Sequence, residues 1–272
     1  MTDAQRPSAG LAPVRGTQLY FEQGGQGTPL VLIHAGIADS RMWDDQWTAL
    51  TARHRTIRYD VRGFGRSGPH RGPFSHVDDL ARLLDYLDVE RAALLGASMG
   101  GTIAIDFTLT HPARVSALIT AGAGLGGYQF AEQTRALWRQ IGAAFDAGDP
   151  ARAVELELRM WVDGPDRTPD RVSATVRERV RVMETANVER NAEEIESEDL
   201  EPPAIGRLAE VKAPALVLVG DYDVPDMLAI ADLLAGTIPG ARKLVLPDTA
   251  HLPNMEQPAA FTQAVVDFLD AL

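Results

Sequence analysis

Short runs of consecutive apolar residues recur along the chain, and each one predicts a β-strand that is buried on both faces. Segments with the period of an amphipathic helix lie between these runs, for example residues 77–87. Alternation of this kind is typical of a parallel sheet with crossover helices, so the predicted fold class is α/β. The predicted core strands are residues 30–34, 56–60, 92–95, 115–120 and 215–219.

The two ends of the chain complete this pattern. Residues 1–13 are polar and contain Pro and Gly, so we expect them to be frayed. Residues 17–22 predict a first strand, which ends at Gly24 and Gly25. Beyond the strand at 215–219, the pattern predicts a helix at 227–235, a strand at 243–246 and a last helix at 259–269.

The pattern changes at Gly122. Between residues 130 and 192 the sequence has a helical period and no strand, with breaks at 148–150 and 163–165. We therefore predict an α/β core made of residues 1–124 and 206–272. A helical insert, residues 125–205, interrupts this core.

Residues 122–127 match the dinucleotide-binding pattern G-x-G-x-x-G after a strand. That function also requires a following helix and strand, with a carboxylate about 20 residues further on. The long helical insert follows instead, so we interpret the segment as a hinge. The sequence also lacks a phosphate-binding loop and a His/Asp/Glu cluster with metal-ligand spacing. We expect no metal and no cofactor.

The composition argues against several classes of binding partner and of chemistry. The 272 residues carry a net charge of −12, which argues against nucleic acid and against an anionic membrane surface as partners. The lack of cysteine excludes disulfides and thiolate nucleophiles. No apolar stretch approaches the ~18 residues that a membrane-spanning helix needs. We expect a cytoplasmic protein that acts on a small-molecule substrate, and the sequence predicts no oligomeric state.

Residues 96–100, Gly-Ala-Ser-Met-Gly, match the pattern G-x-S-x-G, in which a serine sits on a sharp strand-to-helix turn. The predicted strand 92–95 precedes the motif, and a helical run, residues 102–110, follows it. The small flanking residues let strand and helix approach closely, and the N–H groups at the start of the helix suit a developing oxyanion. This context predicts that Ser98 is a catalytic nucleophile.

A serine nucleophile needs a base, and histidine titrates in the required range. His251 lies in a loop after the last predicted strand. Because loops at the carboxyl ends of parallel strands share one edge of the sheet, we expect His251 to meet Ser98 there. His34 ends a buried strand and is interpreted as structural. The other histidines lie beside turn signals or helix ends, and these are His54, His70, His76 and His111.

The third member of a catalytic triad orients the imidazole. Three carboxylates follow the predicted strand 215–219, in the chain order serine, acid, histidine that this fold uses: Asp221, Asp223 and Asp226. We favour Asp223, because a residue a short way past the strand end can turn inward. Asp221 is the alternative, and Asp226 suits a helix N-cap. The oxyanion needs two N–H donors, one from Met99 and the other from the loop 34–44.

These segments together resemble the serine hydrolases of the α/β-hydrolase fold, in particular 3-oxoadipate enol-lactonases, small esterases and cofactor-free haloperoxidases. The resemblance implies that Ser98, Asp223 and His251 form a triad. It also implies that the N–H groups of Gly36 and Met99 hold the oxyanion and that residues 60–67 form a structural turn. It rests on residues 34–44, 59–67, 96–101, 220–223 and 251–258.

One position departs from the family pattern. The family usually has His-Gly-x where this chain has His34-Ala35-Gly36, so a methyl group enters the turn that positions Gly36.

By the same resemblance, the insert is a helical lid. Its candidate apolar faces include Phe130, Leu137, Trp138, Ile141, Met160 and Trp161, most of which we expect to pack between lid helices. Substrate pockets are mostly apolar, and a pocket of this kind suits a modest apolar substrate. The residues that we expect to line it are Ile37, Trp138, Trp161 and Leu252.

The predicted function is hydrolysis of a carboxylic ester or a lactone through an acyl-enzyme intermediate. Hydrolysis of a carbon–carbon bond on the same triad is the second hypothesis. A non-catalytic, ligand-binding protein that retains the triad is the third. Epoxide and haloalkane hydrolases of this fold usually have an aspartate nucleophile, so Ser98 argues against both of those activities.

Overall fold

A single mixed β-sheet forms the centre of the protein. The computed structural model describes residues 8–69, 72–190 and 197–272. The strands in these residues are β1 (Ser8–Val14), β2 (Thr17–Gly24), β3 (Pro29–Ile33), β4 (Arg55–Tyr59), β5 (Ala92–Ala97), β6 (Val115–Ala121), β7 (Ala215–Gly220) and β8 (Arg242–Leu246). Their order across the sheet is β1-β2-β4-β3-β5-β6-β7-β8. β2 pairs antiparallel with β1 and with β4, and the remaining pairs are parallel.

Helices cover both faces of this sheet. α2 (His76–Tyr86), α3 (Met99–Thr110) and α7 (Pro225–Thr237) pack on one face. α1 (Asp44–Thr51) and α9 (Pro258–Asp270) pack on the other, and the short α8 (Pro253–Glu256) precedes α9.

The strand β3 shows why unbroken apolar runs predict these strands. Val31 and Ile33 pack under the α2–α3–α7 layer, whereas Leu30 and Leu32 pack under α1 and α9. All four side chains are fully buried. A strand that is covered on both faces has no solvent-facing positions, so it loses the alternation of apolar and polar residues. The predicted α/β class is confirmed.

The expectation that residues 1–13 are frayed is wrong for residues 8–13. These residues belong to β1, which pairs with β2 along its whole length, from Ser8 opposite Gln23 to Val14 opposite Thr17. Only Ala12 of this strand is buried, and Leu11 is 47% exposed. The strand is therefore held by its backbone pairing and leaves little hydrophobic signal in the sequence. Residues 1–7 lie outside the described residues.

The segment between β6 and β7, described to residue 190 and from residue 197, contains helices and loops and no strand among these residues. It contains α4 (Glu132–Asp146), α5 (Pro150–Glu157), a π-helical turn (Leu158–Asp163) and α6 (Ala174–Arg190). The predicted breaks fall at the start of α5 and at the end of the π-helical turn. In the parts of the chain that the structure describes, no helix combines the length and the apolar character that crossing a membrane requires.

Candidate active site

Ser98 occupies the turn between β5, which ends at Ala97, and α3, which begins at Met99. Its backbone φ is 52°, a value that residues with a side chain rarely adopt. A Cβ atom on Gly96 would lie 2.1 Å from the carbonyl oxygen of Gly100. The motif therefore needs glycine at position 96, because strand and helix pass each other in contact at this sharp turn.

His251 and Asp223 form a buried pair at the carboxyl edge of the sheet. Asp223 follows β7 and His251 follows β8. The Nδ1 atom of His251 lies 2.8 Å from Oδ2 of Asp223 and 3.0 Å from Oδ1. The two residues are 1% and 3% exposed. The Nε2 atom of His251 has no hydrogen-bond partner in the described part of the chain. This is the arrangement that a carboxylate-oriented base requires.

The segment after β6 lies between the Ser98 turn and this pair. The Ser98 N–H donates to the carbonyl oxygen of Ala121, with 2.9 Å between nitrogen and oxygen. The next residue, Gly122, has a φ of 52°. A Cβ atom on Gly122 would lie 3.0 Å from Nδ1 of His251 and 3.1 Å from Oδ2 of Asp223. The backbone at residues 121–122 thus touches the serine turn on one side and the His–Asp pair on the other.

The other two carboxylates that follow β7, Asp221 and Asp226, have different partners. Asp221 is exposed, and its Oδ1 accepts a hydrogen bond from the Thr249 N–H at 3.3 Å. Asp226 is not the N-cap of α7, which is Val224. Asp226 is 5% exposed, and its carboxylate accepts hydrogen bonds from the Tyr128 hydroxyl, the Ala131 N–H and the Thr134 hydroxyl. Asp226 therefore connects the start of the helical insert to α7 through hydrogen bonds.

Gly36 and Met99 are neighbours, as a shared oxyanion site requires. A Cβ atom on Gly36 would lie 3.8 Å from Cβ of Met99. Met99 is the first residue of α3, and the first N–H groups of a helix have no partner within that helix. Ala35 is fully buried, and its φ is not among the positive values in the described residues. The methyl group at this position is therefore accommodated without a strained backbone.

The loop that carries Gly36 is fixed by His34 and Asp60. The Nε2 atom of His34 accepts a hydrogen bond from the Val61 N–H at 2.8 Å, and Nδ1 donates to the Ala35 carbonyl oxygen at 2.8 Å. Complete burial lowers the pKa of His34, which keeps the imidazole neutral. Asp60 accepts from the Ser40 N–H at 2.9 Å and from the Arg66 N–H at 2.7 Å. Both ring nitrogens of His34 are therefore used in structural hydrogen bonds.

Ser98 opens into a cavity of about 510 Å³ between the sheet edge and the helical insert. The wall nearest to the insert is aromatic, with Phe130, Trp138 and Trp161. Of the residues predicted to line the pocket, Trp138 and Trp161 do so. Ile37 and Leu252 are not among the lining residues, because both are buried in the core cluster beneath α1 and α9.

The rest of the cavity follows one face of α3. Thr102, Asp106 and Thr110 line it at four-residue intervals from Ser98, a spacing that places them on the same side of the helix. Polar residues at this interval in an otherwise apolar helix are a sequence signal that the prediction of pocket residues did not use. The carboxylates that line the cavity are Asp78, Asp106, Glu198, Asp199 and Glu201, and no Lys or Arg lines it among the described residues.

Asp106 is the most perturbed of these carboxylates. Burial raises its pKa to about 6, with the nearby Asp199 adding to the shift and Arg207 opposing it. Its Oδ1 atom is buried and has no hydrogen-bond partner in the described residues. Within residues 8–69, 72–190 and 197–272, no group of three or more His, Asp or Glu side chains is placed to hold a metal ion.

The chain belongs to the alpha/beta hydrolase fold family. Residues 28–258 match the model of this family. The strand order, with Ser98 at a strand–helix turn and the His–Asp pair after the following strands, is the arrangement of that fold. The family resemblance predicted from the sequence is therefore confirmed.

The proteins that this chain resembles have different named activities. The chain is 29% identical to the pimeloyl-[acyl-carrier protein] methyl ester esterase of Yersinia enterocolitica, over 92% of this chain and 97% of that protein. It is 31% identical to a 2-hydroxy-6-oxononadienedioate/2-hydroxy-6-oxononatrienedioate hydrolase of Escherichia coli, over 93% and 91%. Among solved structures, the enol-lactonase of Burkholderia xenovorans superposes with a TM-score of 0.77 at 27% identity, covering 96% and 100% of the two chains.

Proposed function

We propose that this protein is a serine hydrolase that cleaves a carboxylic ester or a lactone of a small substrate through an acyl-enzyme intermediate. The observation that carries the proposal is the buried His251–Asp223 pair, which the Ala121–Gly122 backbone links to the strained turn of Ser98, a residue that lines a cavity. Relatives with esterase and lactonase names support the same class of reaction. The acidic, cysteine-free composition favours a cytoplasmic protein that binds neither nucleic acid nor membranes.

In the proposed mechanism, His251 Nε2 takes the proton from the Ser98 hydroxyl as its oxygen attacks the substrate carbonyl carbon. The Met99 and Gly36 N–H groups hold the negative charge that develops on the carbonyl oxygen. Asp223 accepts the Nδ1 hydrogen bond and stabilises the imidazolium. The imidazolium then gives its proton to the departing alkoxide, and the carbon–oxygen bond breaks. The same imidazole then takes a proton from a water molecule, which attacks the acyl carbon; the bond to the Ser98 oxygen breaks, that oxygen takes the proton from the imidazolium, and the acid is released.

The charge of the cavity limits the class of substrate that it can bind. Five carboxylates line it and no Lys or Arg does so among the described residues, so a substrate carboxylate would meet like charges, of which only Asp106 is partly buried. We therefore infer an ester or lactone that is uncharged or cationic. The Escherichia coli relative is named for a dienedioate, which carries two carboxylates, so the same charge argument places carbon–carbon bond hydrolysis of such acids second.

A fluorophosphonate probe tests whether Ser98 is an activated nucleophile. We expect covalent labelling of the folded wild-type protein and none of Ser98→Ala. Three esters of equal length, with a terminal methyl, ammonium or carboxylate group, then test the substrate class. The carboxylate ester should be the poorest substrate by about 10-fold or more in kcat/KM. Absence of labelling in the folded wild type would favour the non-catalytic hypothesis, and turnover of a dienedioate with no ester turnover would favour carbon–carbon hydrolysis.

A further inference from the structure

One segment of the insert, residues 158–167, is packed against both loops that carry the His–Asp pair. The His251 N–H donates to the Trp161 carbonyl oxygen at 3.2 Å. Gly164 has a φ of 79°, and a Cβ atom there would lie 2.2 Å from the carbonyl oxygen of Tyr222 and 3.2 Å from Cβ of Ala250. This segment therefore forms an outer wall of the site and holds the loops on either side of the His–Asp pair.

Arg167 ends this segment and makes the main polar link to the His251 loop. Its Nη1 atom lies 2.8 Å from Oε2 of Glu256, and the two side chains are 4% and 7% exposed. Nη1 also donates to the Asp248 carbonyl oxygen at 2.9 Å. The remaining donors stay within the segment: Nε bonds to the Asp163 carbonyl oxygen at 2.7 Å and Nη2 to the Val162 carbonyl oxygen at 2.9 Å.

Glu256 in turn contacts the backbone directly before His251. Its Oε1 atom accepts a hydrogen bond from the N–H of Ala250, the residue before His251, at 2.7 Å. Arg167 and Glu256 thus hold the loop at Asp248, at Ala250 and at α8, on both sides of His251. Nothing in the proposed chemistry of Ser98 requires these two buried charges to react.

We propose that Arg167 is a positioning residue for His251, acting through Glu256 and the Asp248 carbonyl so that the helical insert sets the place of the base. This inference rests on the proposed function. A displacement of about 1 Å in a reacting group is enough to cost about 100-fold in rate, so a loop held at three points has a catalytic consequence. The side chain of Arg167 does not line the cavity, so its loss should leave substrate binding largely unchanged.

The test compares Arg167→Met, Arg167→Lys and the double variant Arg167→Met/Glu256→Gln with wild type. Arg135→Met is the matched control, because Arg135 pairs with Glu132 on the exposed surface of the same insert. Two activities are measured: the rate of fluorophosphonate labelling of Ser98 and the kcat and KM for a neutral p-nitrophenyl ester. Denaturant unfolding of each variant gives its stability.

We expect Arg167→Met to lower kcat and the labelling rate by about 10- to 100-fold with KM within about twofold, and to be less stable. The double variant removes the unpaired buried Glu256 charge, so its stability should recover while kcat and the labelling rate stay low. Arg167→Lys keeps the ion pair and should retain most of kcat. Arg135→Met should match wild type.

Two results would overturn the inference while leaving the serine-hydrolase proposal intact. One is labelling of Arg167→Met at the wild-type rate. The other is recovery of kcat together with stability in the double variant, which would show that Arg167 contributes to folding alone. If the folded wild-type protein is not labelled at all, the proposed function fails, and the positioning role of Arg167 fails with it.

Discussion

The indole of Trp161 lies against the imidazole of His251, with ring centroids 4.4 Å apart and planes inclined by 36°. Asp223 contacts the Nδ1 edge of that imidazole, so the base is held by the core at one edge and covered by the insert on one face. The same indole lines the cavity into which Ser98 opens. The Trp161 side chain thus connects the helical insert, the proposed base and the cavity.

Replacing Trp161 tests the ring contact. An aromatic face stabilises a cation by roughly 0.5–2 kcal/mol, so the imidazolium formed during attack should lose stabilisation in Trp161→Leu. We expect kcat to fall by about 10-fold in Trp161→Leu and by less than about threefold in Trp161→Phe. Steady-state kinetics with a neutral p-nitrophenyl ester provides the measurement. Trp138→Leu is the control, since Trp138 lines the cavity and its indole packs against the Phe130 ring; its effect should be mainly on KM. Equal kcat values for both leucine variants would contradict a role for the contact.

Asp221 and Asp223, which directly follow β7, should behave differently when they are converted to amides. Asp223→Asn places an amide against Nδ1 of His251 and favours the wrong tautomer, so kcat should fall by about 10³-fold or more. Asp221→Asn changes an exposed side chain and should leave kcat within about threefold. Both variants should unfold at similar denaturant concentrations, which makes each a control for the other. A reversed order of the kcat values would identify Asp221 as the acid.

The core strands and the proposed triad could be predicted from the sequence because they depend on local chemistry. Largely apolar runs predicted β3 to β7, and the glycines around Ser98 predicted a sharp turn with strand and helix in close approach, where the structure places a Cβ atom on Gly96 against a carbonyl oxygen. The chain order of Asp223 and His251 then placed both at the edge that Ser98 occupies. Each of these predictions needs only a few neighbouring residues and the rule that parallel strands share one carboxyl edge.

The features that sequence did not predict depend on contacts between distant segments. β1 is held by backbone bonds to β2 and buries little apolar surface, so its sequence carries almost no pattern. Asp226 looked like a helix cap, but its partners are 92 to 98 residues away. Leu252 follows His251 directly, yet it faces the core and not the cavity. The direction of such side chains is set by tertiary packing, which a single sequence does not report.

Glu184 in α6 should make stability depend on pH. It is 6% exposed, and burial, together with the adjacent Glu157, raises its pKa well above the usual range. A raised folded-state pKa means that the carboxyl is neutral in the folded protein. Its contribution to the free energy of unfolding is therefore complete below the unfolded-state pKa of about 4.3. This contribution is lost as the pH rises towards the folded-state pKa. Glu184→Gln removes this loss. Its stability gain over wild type should therefore grow by about 1–4 kcal/mol between pH 5.5 and pH 8.5.

Guanidinium unfolding at the two pH values provides that measurement. Glu178→Gln is the matched control, because Glu178 lies on the same helix with its side chain 64% exposed. Its effect should be small and independent of pH. A gain for Glu184→Gln that is the same at both pH values would mean that Glu184 is ionised in the folded protein.

The preference for a cationic ester over a neutral one should depend on pH because of Asp106. Because its pKa is raised to about 6, the carboxyl is mostly neutral at pH 5 and ionised at pH 7.5. The ratio of kcat/KM for an ammonium ester to that for its neutral isostere cancels the titration of the chemical step itself. This ratio should rise by about three- to tenfold between pH 5 and pH 7.5 in wild type, as the carboxylate appears beside the bound cation.

In Asp106→Asn the rise should largely disappear, because an amide does not ionise over this range. Asp232→Asn serves as the control, since Asp232 lies on α7 with a side chain that is 70% exposed and does not line the cavity. Added salt should reduce the rise of this ratio in wild type only weakly. Salt screens exposed charges strongly, whereas Asp106 is only partly accessible to solvent. A ratio that stays constant with pH in wild type, or that rises equally in Asp106→Asn, would show that the cationic end of the substrate lies away from α3.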